Sequence, residues 1–182
     1  MSTTLEFKVD WGAANWLDTP DYSQAIDDIT PYVQSYQVNR GIAVEQGNAP
    51  AGTLQVTLKN GDGRFSPTNA ASPLLVAGHI RPWLPIRFKA TVGGDDKTVY
   101  TGFISRISCS PHLNKQTAIL YCTDGMDLLA RNMVTQDETA TTARSDGSAI
   151  DCVLDAAGWP TEKRTLDTFG GNITKYPLTV EY

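Results

Sequence analysis

Only 2 histidines and 3 cysteines occur among the 182 residues, and charged side chains make up just 19% of the chain. No apolar run approaches the ~18 residues of a membrane-spanning helix, so no membrane segment is expected. The cysteines (Cys109, Cys122, Cys152) are odd in number and sit in apolar stretches. That pattern predicts buried reduced thiols in a protein made in a reducing cytosol, not a disulfide framework. A basic surplus is missing too. Fifteen Lys+Arg against 20 Asp+Glu give a net charge of -5, which excludes a general nucleic-acid binder with a cationic face. Charge below the ~25% usual for soluble domains suits a surface partly buried against partners. After Met1-Ser-Thr-Thr comes an alternating strand and not a basic segment with an apolar core, so no secretory signal is expected.

Catalytic chemistry is equally scarce. His79 and His112 fall in predicted loops far apart in sequence. No Gly-x-Ser-x-Gly elbow, His-Glu-x-x-His pair or phosphate-binding Gly-x-x-x-x-Gly-Lys motif is present. The three cysteines are too scattered for a zinc site. Asp27/Asp28 and Asp95/Asp96 are sequence neighbours whose side chains point apart, unlike a glycosidase pair. No catalytic residue, metal-ligand set or cofactor site is expected, and the chain reads as a non-enzyme.

What is present is a β-rich body. With 41% apolar residues, the length suffices for one full domain plus a small second element. Leu5, Phe7, Val9 and Trp11 alternate with polar residues, as do Thr53–Leu58 and Ile86–Val92. Further strands are predicted over 29–38, 98–109 and 117–123, the last apolar on both faces and so covered on both. Six strands with no intervening helix predict a mainly β fold with minor α: an antiparallel barrel, closed or nearly closed, of about six strands with one or two short helices. A short helix is expected over 125–132. A better one spans 146–157, where Ile150, Val153, Leu154 and Ala157 form one face. The organisation follows: a barrel domain over 1–132, a linker over 133–145, and a helix–strand element over 146–182 that starts an incomplete second domain.

The densest motif is Asn60-Gly61-Asp62-Gly63-Arg64-Phe65-Ser66-Pro67. An EF-hand register fails at Leu58 and Asn69, and a dinucleotide fingerprint fails at Ser66. The motif therefore reads as a structural turn. Gly61 and Gly63 permit positive φ, Asp62 can accept backbone N–H groups two residues on, Phe65 tucks back as an anchor and Pro67 stops the strand. Two long connections, 11–28 and 60–84, exceed the usual loop length. The second carries Leu74, Leu75, Val76, Ile80 and Trp83, too apolar for water, and is the candidate interface loop. Arg87 and Lys89 fall on the outward face of their strand.

The order of these pieces is telling. Asn39-Arg-Gly41 is followed by the run Gly52–Pro67, then Ser72-Pro73, Arg81-Pro82, Pro85–Thr91, Thr98–Ile104 and Ala118–Asp124 leading into a Leu-rich helix, and finally Ala156-Ala-Gly-Trp-Pro160. Over roughly residues 29 to 165 the chain resembles the N-terminal part of minor tail proteins, the hub or tail-associated proteins of long-tailed bacteriophages. The resemblance implies a barrel related to the tail-tube fold and a homotrimer or other ring in the virion, assembled in the host cytoplasm. Its implied partners are the tail tube or distal tail protein, the tape-measure protein and the tip or receptor-binding proteins, with DNA met only in transit. Family members are usually considerably longer, so the chain is expected to be a fragment, a short variant or half of a split hub. A rival reading is a carbohydrate-binding β-module stacking sugars on Trp11, Trp16 or Trp83. A second rival, a tail-associated hydrolase, would need residues beyond Tyr182.

Overall fold

The computed structural model describes residues 3–15, 18–40, 51–110, 116–131, 144–161, 164 and 172–173. The chain divides into two compact units, Met1–Asp127 and Leu128–Tyr182.

The first unit is a single antiparallel sheet of β1 (Thr3–Val9), β2 (Val33–Asn39), β3 (Thr53–Lys59), β4 (Pro85–Val92), β5 (Asp95–Cys109) and β6 (Thr117–Thr123). The strands lie in the order β1-β4-β5-β6-β3-β2. Period-two patterning decides which side chains turn inward. Phe7 and Val9, Ile86 and Phe88, Tyr100 and Ile104, Leu120 and Cys122, and Leu54, Val56 and Leu58 are all buried in one core. Phe7 and Phe88 stack with their ring centroids 4.2 Å apart.

The sheet curls into a half-barrel and does not close along its length. Among the described residues, β1 is bonded at one level to the segment just before β2 and not to β2 itself. Ile29 N donates to Phe7 O (3.0 Å) and Phe7 N to Thr30 Oγ1 (2.8 Å). Beyond that level the edges part, for a local reason. Thr30–Tyr32, with Pro31 in its first turn, winds into a 3₁₀ turn, and the β2–β3 register then slips between Val33 and Ser35. Such a bulge bends its strand.

The long connection after β1 is stitched down by two buried carboxylates. Asp10 accepts Asp21 N (2.8 Å), while Asp27 accepts Trp11 N (3.4 Å) and Gln24 N (3.0 Å). Strand β6 departs from the expectation of cover on both faces. Its outward Ile119 and Tyr121 are half-buried, facing Ser108 and Arg106 on β5 and Thr57 and Gln55 on β3. The Arg106 guanidinium lies 4.2 Å over the Tyr121 ring, so a cation supplies part of the cover.

Helix α1 (Pro73–Val76) is a single turn within the long connection 60–84, where no helix was expected. Helix α2 (Gly125–Arg131) occupies the short helix predicted after β6. In the second unit, β7 (Arg144–Ser145) pairs with β8 (Asn172–Ile173), and α3 (Asp146–Ala156) ends one residue before the predicted stop. Gly158, with φ 69°, turns the chain out of the helix. Arg164 ties this end together through Asp151 (2.6 Å), Asp155 (2.7 Å) and the carbonyl of Trp159. The expected apolar face of α3 is only partly covered: Ile150 and Val153 are exposed. Most of the predicted linker and of the terminal strand lies outside the described residues.

Candidate functional site

The motif Asn60–Pro67 folds as a turn tied at every stage. Asn60 is buried, and its amide spans the turn: Oδ1 accepts Phe65 N (3.0 Å) and Nδ2 donates to Ser66 Oγ (2.9 Å). Its backbone is held at both ends, through Asn60 N to Gln116 O (2.9 Å) and Gly63 N to Asn60 O (3.0 Å). Asp62 accepts Arg64 N (3.2 Å) and pairs with Arg64 Nε (2.7 Å). Arg64 in turn stacks on Tyr32 at 4.2 Å and bonds its hydroxyl. Of the two glycines, only Gly63 takes positive φ (68°). Gly61 does not, so its expected left-handed role falls away. Ser66 N continues the winding by donating to Gly63 O, and the exposed Pro67 follows outside the sheet.

Phe65 is the anchor of this turn. It is 1% exposed, packed beside Trp11 and edge-on to Tyr32 with centroids 6.1 and 5.6 Å away. Its carbonyl accepts from Cys109 Sγ (3.3 Å) on β5. Downstream, Ser72 is fully buried; its hydroxyl donates to Arg64 O and caps α1 by accepting Leu75 N. The turn and the candidate interface loop are therefore one hydrogen-bonded piece.

Within that loop the five singled-out residues separate. Leu74 is buried in the core. Leu75 is half-buried, and Ile80 packs against the core from its margin. Val76, at 75% exposed, is the one of the five left in solvent. Trp83 is half-buried and holds φ 67°, a left-handed conformation that bulky side chains rarely adopt. Its backbone is fixed there by Trp83 N donating to Ile104 O (2.7 Å), with Ile104 N returning to Leu84 O (2.9 Å).

All three cysteines are free, and burial pushes the Cys122 thiol up, keeping it protonated. Arg87 sits 3.2 Å from Glu6 and 4.4 Å over the Tyr22 ring; Lys89 reaches Asp96 at 4.0 Å. The outward cations are thus met by carboxylates across the sheet. His79 is half-buried in the loop, and His112 lies outside the described residues. Among the described residues no cluster of His, Cys, Asp or Glu is placed to hold a metal ion, and no helix is long and apolar enough to cross a membrane. Trp11 is fully buried, so it cannot serve as a sugar-stacking platform. Trp16 lies outside the described residues.

Two carboxylates set opposite pH responses. Burial raises the pKa of Asp27 from its ordinary value, against its backbone hydrogen bonds, with Asp10 and Asp21 adding to the rise. Its contribution is therefore complete below its unfolded pKa and is lost as pH rises through the raised folded value. Asp62 is lowered: desolvation opposes the shift, but hydrogen bonds from the Arg64 side chain and backbone outweigh it. Stability from Asp62 is complete above its unfolded pKa and is lost as pH falls through the depressed folded value. Melting measured from neutral pH to below about pH 4 should show a smaller acid loss in Asp62→Asn than in the parent chain. Equal acid slopes would remove Asp62 as a contributor.

The wedge where β1 and β2 part is a cleft that combines apolar side chains with strand edges. It encloses about 500 Å³ and is lined by Leu5, Phe7, Thr30, Val33, Gln34, Ser35 and Tyr36. Tyr36 points inward, opposite Val56, and its ring meets Phe7 and Phe88 at 5.3 and 5.0 Å. Even so it is 44% exposed, because the wedge leaves it open. Sequence reasoning missed this place, because the opening depends on the 3₁₀ turn at Thr30–Tyr32 and the register slip between Val33 and Ser35 and not on any motif.

No family model and no curated protein matches the chain.

Proposed function

We propose that this chain is a structural component of a long-tailed bacteriophage virion, a tail-tip or baseplate hub subunit that acts by assembly and not by chemistry of its own. Copies associate into a ring, a trimer or a related closed form, that joins the tail tube or distal tail protein to the tip proteins and lets DNA pass. The observation that carries the reading is the Gly52–Val76 run. It forms an inner strand, a turn locked by Asn60 and Phe65, and a capped helix that presents Val76 to solvent on a rigid support. A rigid apolar projection keeps the entropy cost of association low. The order of motifs along the sequence, from Asn39-Arg-Gly41 to Trp159-Pro160, supports the same family reading. The paired state of Arg87 and Lys89 is compatible with a passage that does not grip DNA.

Light scattering of the purified chain across a concentration series, with negative-stain imaging of the largest species, tests this. A trimer or hexamer, or a concentration-driven approach to one, is expected, and Val76→Asp should shift that equilibrium toward monomer while leaving the melting temperature unchanged. A strict monomer at the highest concentration reached would overturn self-assembly by this chain.

A further inference from the structure

We infer that Asn60 is a latent modification site: once the turn opens, its side-chain amide converts to aspartate or isoaspartate, and the turn cannot close again as before. Asn60-Gly61 is the one Asn-Gly pair in the sequence. In such a pair the backbone N–H of the following residue is the nucleophile nearest the side-chain amide carbon, and glycine leaves it unhindered. Gly61 N attacks Asn60 Cγ and a five-membered succinimide closes. The Cγ–Nδ2 bond breaks, and ammonia departs carrying the proton that Gly61 N gives up. Solvent water then adds to one of the two ring carbonyls and opens the ring. Opening at the side-chain carbonyl gives aspartate. Opening at the backbone carbonyl gives isoaspartate, with the chain running through the former side chain.

Three observations support that chemistry here. The nucleophile is ready: Gly61 is exposed, and its N–H bonds to no acceptor among the described residues. Nor does the fold ask for glycine at this position. Gly61 keeps out of the left-handed region, and a Cβ there would stand at ordinary contact, 3.7 Å from Gln116 Oε1. The lock is on the electrophile. The Asn60 amide is buried and held at both ends, Oδ1 by Phe65 N (3.0 Å) and Nδ2 by Ser66 Oγ (2.9 Å), so Cγ cannot swing toward Gly61 N until those bonds break. Local opening is the gate, and conversion follows the population of the open turn. At Asp62-Gly63 the corresponding nucleophile is already engaged: Gly63 N donates to Asn60 O (3.0 Å), and the Asp62 carboxylate is paired with Arg64. Conversion of Asn60 is one-way. Aspartate puts a carboxylate into a buried position, and isoaspartate adds a methylene to the main chain while removing the side-chain carbonyl that held Phe65 N.

The full chain is held in mildly alkaline buffer over days, folded and in urea. Conversion at Asn60 is read by peptide mapping with mass spectrometry that separates aspartate from isoaspartate. It should run about tenfold or more faster in urea than in the folded chain. Ser66→Ala, which removes one of the two bonds on the amide, should raise the folded-state rate several-fold. Gly61→Ala should fold and melt like the parent yet lose most of the conversion in urea, because its methyl group crowds the attack. In the converted chain the Phe65 amide should exchange quickly and stay unprotected after return to neutral buffer. Equal rates folded and in urea overturn the gate, and so does an unchanged rate in Ser66→Ala. Gly61→Ala converting in urea as fast as the parent overturns the succinimide route. A converted chain that regains protection of the Phe65 amide overturns the one-way unlocking.

Discussion

Phe65→Ala is expected to lower the stability of the first unit by about 3–5 kcal/mol, the usual cost of deleting a buried phenyl ring. Phe65 is 1% exposed between Trp11 and Tyr32, and both neighbours are held from elsewhere. The Trp11 backbone is fixed by Asp27, and the Tyr32 hydroxyl is bonded by Arg64. The surroundings therefore cannot collapse freely into the space, which puts the cost toward the upper part of the range. The loss should also reach the connection 60–84, because Phe65 N and O are the points where the turn is tied to Asn60 and to Cys109. Chemical denaturation measures the first effect. Limited proteolysis between Ser66 and Trp83 measures the second: cleavage there should speed up under conditions where the sheet is still folded. A loss below about 1.5 kcal/mol would mean that the turn repacks around the gap and that Phe65 is not its anchor.

The strands were legible because alternation is a local property: the side chains that turn inward in β1, β3, β4 and β6 are those the period of two selects. Asp62 was legible for a similar reason, since an aspartate that bonds two residues on needs nothing but its neighbours. Other features depend on distant partners. Trp83 takes φ 67° because Ile104 O, on a strand twenty-one positions later, draws its N–H into place, and nothing beside Trp83 in sequence marks a left-handed residue. The opening between β1 and β2 is likewise tertiary. It arises from a 3₁₀ turn and a bulge at Gln34 whose effect depends on where β1 lies. Helix α1 fell between these cases: Ser72-Pro73 is a good cap and first-turn pair, but four residues are too few for periodicity to reveal a helix. Trp11 shows the opposite error. An aromatic residue in an alternating strand is a core residue first, and its full burial removes it from any sugar-binding face.

Gly63→Val is the companion test and acts through the backbone. At φ 68° any side chain is strained, and a β-branched one most of all, at a cost of about 1–3 kcal/mol. Contact adds to strain here, because a Cβ at this position would meet Asn69 Nδ2 at 2.8 Å. That amide is not a free end. It donates to the carbonyls of Asp62 and Gly63 (3.3 and 3.1 Å), while its Oδ1 accepts Ala71 N (3.1 Å), so moving it breaks the bonds that lead the chain from the turn into α1. The total loss for valine should therefore exceed the strain cost alone. Gly63→Asn, which tolerates the left-handed region better, should lose less than valine while meeting the same contact. Comparing the two by equilibrium unfolding separates conformational strain from crowding. Equal losses would assign the effect to Asn69, and no loss in either variant would refute a strained turn at Gly63.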